Sequence, residues 1–199
     1  MNQKYSPRVS LLFVSLFFLS FFAEAQVRYG AKAGVNFSNI TQVNGVSKSR
    51  VGMNAGLLAL IPLDRYDIFY IQPEVFYSNE GEFLVGSDKE YKNYLNFIKV
   101  PILFKAYFSG EENEFFGEVG PYFAFKVFET IDAVDNPKGG QKFNSFDFGF
   151  SLGAGYSISR QIEIGARLSY GISDMVENDW ENKSNKNSTA SIGVSYILY

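Results

Sequence analysis

Large apolar residues alternate with small or polar ones along much of this chain, and the clearest stretch is 146–158. One set of alternate positions carries mainly large apolar side chains: Phe146, Phe148, Phe150, Leu152, Ala154, Tyr156 and Ile158. The other set carries small or polar ones: Asp147, Gly149, Ser151, Gly153, Gly155 and Ser157. A period of two over this length predicts a β-strand whose two faces meet different surroundings.

The same alternation recurs and predicts eight strands, at about 28–38, 51–61, 68–78, 95–108, 116–128, 146–158, 161–172 and 188–199. The segments between them are alternately long and polar (39–50, 79–93, 129–143, 173–187) or short (62–67, 109–114, 159–161). This alternation is typical of up-and-down outer-membrane barrels, which have short periplasmic turns and long external loops. Pro73, Pro101 and Pro121 fall inside predicted strands, where we expect bulges or strand starts because proline lacks a ladder donor.

The composition of the polar faces indicates what surrounds the barrel. A secreted lipocalin-like barrel, the main alternative, is apolar inside and polar outside. Here the polar faces hold mostly Gly and Ser with one or two charges per strand, which suits a narrow lumen, while the large apolar residues suit lipid. The sequence therefore predicts an all-β fold, an eight-stranded antiparallel up-and-down transmembrane β-barrel.

The N-terminal residues predict a cleaved export signal. A basic start precedes an apolar run over residues 9–22, and Ala23-Glu24-Ala25 matches an A-x-A cleavage site. The run is shorter than the ~20 residues that a membrane-spanning helix needs. We expect residues 1–25 to be a signal peptide and residues 26–199 to form a barrel domain in the outer membrane of a Gram-negative bacterium.

Composition narrows the chemistry. The net charge of −3 does not fit a nucleic-acid partner, and the absence of Cys rules out disulfides. His is absent as well, which removes Ser-His-Asp and Cys-His catalysis and the commonest metal ligand. Enzymatic outer-membrane barrels lean on a His base, so we expect no enzyme, with no catalytic, cofactor or metal site.

Nine charged residues fall on the predicted lumen face: Lys32, Glu74, Lys99, Lys105, Glu118, Lys126, Asp147, Glu163 and Arg167. Five cations and four carboxylates nearly cancel, and we expect ion pairs because an unpaired buried charge is very costly. Lys105 and Lys126 in particular should each lie beside one of the four carboxylates. The interior of an eight-stranded barrel is just wide enough for side chains, which favours a structural plug over a selectivity filter or proton path.

Four segments resemble recurrent segments of one family: 29–38 (YGAKAGVNFS), 71–78 (IQPEVFYS), 99–105 (KVPILFK) and 119–122 (VGPY). The chain is similar in these to the outer-membrane β-barrel (porin-like, PorT-like) family of Bacteroidetes. The resemblance covers the whole of residues 26–199 and implies that the three prolines are family features. It implies no catalytic residues, and a porin label does not establish transport.

Two functional classes stay open. The first is a structural or envelope-interaction role with loops displayed at the cell surface, whose partners are outer-membrane lipid and other envelope proteins. The alternative is a narrow porin-like channel or a transport- or secretion-associated component.

Cleavage after Ala25 predicts a mature chain that begins at Gln26. Intact-mass measurement of the protein purified from outer membranes should give the mass of residues 26–199. An envelope form that retains residues 1–25 would contradict this expectation.

Overall fold

The described residues form a closed barrel of eight antiparallel strands in chain order, in which β8 pairs with β1. The computed structural model describes residues 27–41, 47–85, 90–132, 143–175 and 185–198. The strands are β1 (Arg28–Thr41), β2 (Ser47–Pro62), β3 (Phe69–Val85), β4 (Glu90–Tyr107), β5 (Glu114–Asp132), β6 (Phe146–Ile158), β7 (Ile162–Gly171) and β8 (Lys186–Leu198). The predicted fold is confirmed, whereas the predicted signal peptide lies outside the described residues. None of the described residues forms a helix that is long and apolar enough to cross a membrane.

Several strands run further into the predicted long loops than the alternation indicated. β3 continues to Val85 and β4 begins at Glu90, so most of the predicted loop 79–93 is a paired hairpin. β1, β2 and β5 are extended in the same direction. Backbone pairing needs no apolar alternation once a strand has left the lipid, and these extensions were concealed because they mix polar and apolar residues without a regular alternation.

The outward face of the barrel is a continuous apolar band. Leu57, Leu152 and Leu168 are each more than 60% exposed, and many other large apolar side chains point outward with them. Outward aromatic rings also contact across strands, as in Phe115 and Tyr156, whose ring centroids are 4.9 Å apart. Soluble monomers rarely expose apolar patches beyond a few hundred Å², so this band is the surface that faces lipid.

The three prolines lie inside β3, β4 and β5, and the strand register passes through them unchanged. Pro73 stays opposite Ile102, and Pro101 stays opposite Tyr122. The expectation of bulges or strand starts at these positions is therefore wrong. Each proline removes a single donor, and the neighbouring ladder bonds and side-chain alternation are enough to hold the register.

Side-chain hydrogen bonds fix the short turns. The Asp64 carboxylate accepts backbone N–H bonds from Phe69 at 2.8 Å and from Ile68 and Tyr66 at 3.1 Å. These donors, that of Phe69 first, hold the pKa of Asp64 below its ordinary value. The turn between β2 and β3 is thus organised by one acidic side chain.

Arg160 ties the three short turns together. It lies in the turn between β6 and β7, where Ser159 and Arg160 have φ of 51° and 54°. Its Nη1 donates to the carbonyl of Asp67 at 2.7 Å, its Nε donates to the carbonyl of Glu111 at 2.9 Å, and its guanidinium pairs with Glu114. One side chain in the β6–β7 turn therefore links the other two short turns and β5 at this end of the barrel.

The cost of a charge on the outer face should depend on its depth in the lipid. Leu152 lies at the middle of β6, and Ile158 is the last outward residue of the same strand, beside the short turn. Leu152→Arg should lower the free energy of unfolding by about 2–4 kcal/mol and Ile158→Arg by about 0–1 kcal/mol. Urea unfolding of both variants in lipid vesicles measures the difference, and equal losses would contradict the lipid-facing assignment.

Candidate functional site in the barrel lumen

Four charged side chains from four strands meet in the middle of the lumen. Arg167 on β7 lies between Glu74 on β3 and Glu118 on β5. Its Nη1 and Nη2 each donate to a carboxylate oxygen of Glu74 at 2.7 Å, and its Nε donates to Glu118 at 2.7 Å. The Lys32 ammonium on β1 donates to Glu74 at 2.8 Å. Two cations and two carboxylates therefore balance in this central cluster, and the bidentate geometry makes its bonds strong ones.

Gln72 completes the central cluster. Its amide nitrogen donates to Glu74 at 2.6 Å and to Glu118 at 3.3 Å. The cavity beside it, lined by Gln72, Lys32, Glu118 and Arg167 among others, has a volume of about 40 Å³. That space admits a few water molecules and no hydrated ion pathway.

Lys105 and Glu163 form a second ion pair, nearer the short turns. The Lys105 ammonium donates to Glu163 at 2.5 Å, and the Tyr107 hydroxyl donates to the other carboxylate oxygen at 2.5 Å. The side chain of Lys105 is completely buried, and its ammonium lies 4.0 Å from the centre of the Phe116 ring. The expected carboxylate neighbour of Lys105 is thus present.

Lys99 finds a partner that the sequence did not indicate. Its ammonium lies 2.6 Å from Glu80, a residue of the predicted loop 79–93 that in fact continues the lumen face of β3. Ser78 and Asn187 donate to the same carboxylate at 2.7 and 2.8 Å. The signal was present: positions 72, 74, 76, 78 and 80 keep one alternation, which the predicted strand end at residue 78 cut short.

The last two of the nine residues lie nearer the long hairpins and stay apart from the central cluster. Lys126 was expected beside Glu74, Glu118, Asp147 or Glu163, and this expectation is wrong. Its ammonium donates to Glu129 and to the carbonyl of Phe143, both at 2.5 Å. Asp147 accepts hydrogen bonds from the hydroxyls of Tyr122 at 2.8 Å and Ser173 at 2.6 Å. Ala124 is the residue of β5 that lies opposite Asp147, and Lys126 lies one lumen position further toward the long hairpins, where Glu129 and the Phe143 carbonyl accept its hydrogen bonds.

Apolar layers close the lumen above and below the central cluster. The lower apolar cluster, at the short turns, comprises Leu58, Leu60, Tyr70, Tyr107, Phe116 and Ile197. The upper apolar cluster, toward the long hairpins, comprises Ile40, Leu95, Phe97, Tyr122, Ala124, Phe143 and Met175. Leu58 and Leu60 fall among the polar positions of β2 in the sequence because their side chains belong to the lower apolar cluster. Water is excluded at both ends, which strengthens the ion pairs between them.

The lumen carboxylates of the central cluster and of the Lys105 and Lys99 pairs are engaged by cations, so they act as fixed anions that join strands across the barrel. Within the described ranges, no group of three acidic side chains has an arrangement that could hold a metal ion.

Removal of Arg167 should leave two buried carboxylates with one ammonium between them. We expect Arg167→Met to lower the free energy of unfolding by about 3–5 kcal/mol, because breaking a buried pair strands the remaining charge. The double variant Arg167→Met/Glu118→Gln keeps Lys32 and Glu74 in balance and should recover part of that loss. Urea unfolding in vesicles compares these with Glu118→Gln alone. An Arg167→Met barrel as stable as the unmodified one would contradict the network's structural importance.

Two solved structures are similar to this barrel. Neisserial surface protein A has 13% sequence identity and a TM-score of 0.53, with 84% of this chain and 96% of that chain covered. Ail, the attachment invasion locus protein of Yersinia pestis, crystallised with the heparin analogue sucrose octasulfate, has 14% identity and a TM-score of 0.50, with 86% and 99% covered. At these identities the likeness concerns the fold alone. No curated protein matches the sequence.

A family model described as "Outer membrane protein beta-barrel domain" matches residues 21–177, which is most of the chain. That match agrees with the closed eight-stranded barrel, its apolar outer band and its charged lumen. The chain therefore belongs to the outer membrane protein β-barrel domain family and is a protein of the outer membrane.

Proposed function

We propose that this protein is a closed outer-membrane scaffold whose lumen is plugged and whose long hairpins are held at the cell surface for contact with envelope or external partners. The observation that carries the proposal is the filled lumen. The central cluster lies between two apolar layers, and the cavity beside it measures only about 40 Å³. A barrel with such a filled interior makes its contacts with other molecules through its outer surface and its loops.

The extended hairpins support a role in display. β3 and β4 stay paired from Phe69↔Ala106 up to Val85↔Glu90, well past the apolar band. Such a paired extension carries both strands of the hairpin beyond the membrane surface. Loops on rigid scaffolds are where binding residues concentrate.

A catalytic role is not part of this proposal. The chain contains no His, and the lumen acids Glu74, Glu80, Glu118 and Glu163 are each paired with a Lys or Arg side chain. A carboxylate paired with a cation in this way is a poor general base. The proposal therefore treats the nine charged residues as structural, with no cofactor.

The finer family assignment is also a proposal: a PorT-like barrel of the Bacteroidetes, with residues 1–25 removed on export. Its support is local. The segments 29–38, 71–78, 99–105 and 119–122 fall on β1, β3, β4 and β5, and their prolines lie inside these strands, at positions where the register does not shift.

Single-channel recording in planar bilayers tests the closed-scaffold proposal. The purified barrel should give no discrete conductance steps under conditions where a known porin conducts. Lys105→Met/Glu163→Gln, which removes a buried pair without adding net charge, should stay silent too, because Leu60, Tyr70 and Phe116 still close the lumen.

The channel alternative makes the opposite prediction. Discrete conductance of the unmodified barrel, with an ion selectivity that changes when Lys105 and Glu163 are replaced, would overturn the scaffold proposal in favour of a narrow channel. Conductance that is insensitive to this pair would equally overturn it, since the path would then avoid the plug.

A further inference from the structure

The wall between β2 and β3 contains one break in its register. Ser49 pairs with Glu82, and regular pairing resumes at Asn54 with Ser78, after a shift of one residue. The pairing of β1 with β2 and of β3 with β4 is continuous at the same height. The irregularity therefore belongs to one seam, in which four residues of β2 face three of β3.

Close contacts hold the seam together without regular ladder bonds. A side chain at Gly52 would place its Cβ 1.9 Å from the carbonyl oxygen of Asn79, so only glycine fits there. Ser38 lies on β1, on the other side of β2, and its hydroxyl is 3.0 Å from both the backbone nitrogen and the carbonyl oxygen of Gly81 on β3. The register shift leaves a dent on the lipid side, between the outward side chains of β2 and those of its neighbouring strands.

This dent is a groove in the apolar band. Its volume is about 580 Å³, and its lining is Val35, Val51, Gly52, Met53, Tyr77 and Asn79. Val51 and Met53 are 60% and 73% exposed, so the groove opens toward the acyl chains of the membrane. Its lining is apolar except at one end, where Asn79 lies.

A buried cation lies at that polar end. Arg50 is only 6% exposed, and its guanidinium donates to the carbonyl of Glu80 and, at 2.5 Å, to the side-chain oxygen of Asn79. The Tyr94 ring lies 4.2 Å from it. These acceptors are neutral, and in the part of the chain that the structure describes no carboxylate pairs with Arg50. The lumen cations differ, since Lys32, Lys99, Lys105 and Arg167 each have a carboxylate.

The position of Arg50 along the barrel matches the headgroups of the external leaflet. On β2 the outward residues from Ile61 to Val51 are apolar, and a tilted strand of this length spans about 25 Å, the height of the lipid-facing band. Polar side chains begin directly above, where Asn96 accepts a hydrogen bond from the Tyr77 hydroxyl at 2.6 Å. A tyrosine with its hydroxyl at such a boundary is typical of the membrane interface.

We propose that the β2–β3 seam binds one phosphate-bearing lipid of the external leaflet. An acyl chain lies in the groove over Val35, Val51 and Met53, and the phosphate reaches Arg50 from the end at Asn79. There it replaces the Asn79 amide oxygen as acceptor, and a hydrogen bond between two charged groups takes the place of one from the guanidinium to a neutral amide. The occupant is a lipid because the groove is continuous with the membrane-facing band, and it is anionic because no carboxylate among the described side chains pairs with Arg50.

Native mass spectrometry of the full-length barrel in detergent micelles, with phosphatidic acid as the probe, tests this site. We expect saturable binding of one phosphatidic acid and about tenfold weaker binding by Arg50→Gln, the loss typical of one hydrogen bond between charged groups. The matched control is Arg28→Gln at the other end of the barrel, where Asp67 already neutralises the arginine at 3.0 Å. This control should bind as the unmodified barrel does.

Further arms separate the alternatives. Val35→Trp fills the groove and leaves Arg50 in place, so it should also weaken lipid binding, and it decides the matter if Arg50→Gln fails to show the gel shift of a folded barrel. Diacylglycerol, which lacks the phosphate, should bind much more weakly. Equal binding by Arg50→Gln and the unmodified protein, equal weakening by Arg28→Gln, or displacement of the lipid by inorganic phosphate at similar concentrations would each overturn the proposal.

Discussion

The rest of the lumen depends on the hydrogen bonds that the Arg167 guanidinium donates to Glu74 and Glu118. The guanidinium joins β7 to β3 and β5 across the full width of the barrel, and Lys32 brings in β1 through the shared Glu74. A closed sheet alone specifies only pairing between neighbours, whereas this cluster links strands that never pair. The small residues of the polar faces make room for it: a Cβ at Gly153 would lie 2.6 Å from a carboxylate oxygen of Glu118. Glycine on these faces therefore leaves the space that the large charged side chains of facing strands occupy.

The arrangement inverts the usual division of a globular protein. Large apolar residues cover the outside, and the interior apolar residues are reduced to two small clusters. These clusters contribute by location more than by area, because they keep water from the ion pairs and so raise the effective strength of each pair. Buried ion pairs stabilise weakly against an apolar replacement but strongly against a broken pair. The interior thus specifies one arrangement of strands without requiring a large hydrophobic core.

The alternation of side chains was sufficient to predict the strand number, the pairing order and the outward face, because two solvents impose a strict period on each strand. The alternation failed as a predictor outside the lipid, where a strand no longer has two different solvents on its two faces. Beyond the lipid the strands of the β3–β4 hairpin lose the alternation of apolar and polar residues, and Glu80 was taken for a loop residue although it pairs with Lys99. Lys105 was correctly expected beside a carboxylate. The partner of Lys126 depended on how far neighbouring strands are shifted along one another. The residue pattern within a single strand does not show that shift. The seam at Arg50 was equally hidden, since a one-residue shift leaves no mark in either strand alone.

Arg160 sets a condition on the order in which the barrel can be completed. Its acceptors belong to turns contributed by the second, third, fourth and fifth strands, whereas Arg160 itself arrives with the sixth and seventh. An intermediate that contains only the first five strands would hold Glu114 and the carbonyls of Asp67 and Glu111 without their donor. The bonds that link the short turns can therefore form only once the β6–β7 hairpin is in place. One side chain thus makes the joining of three short turns depend on the presence of a single hairpin.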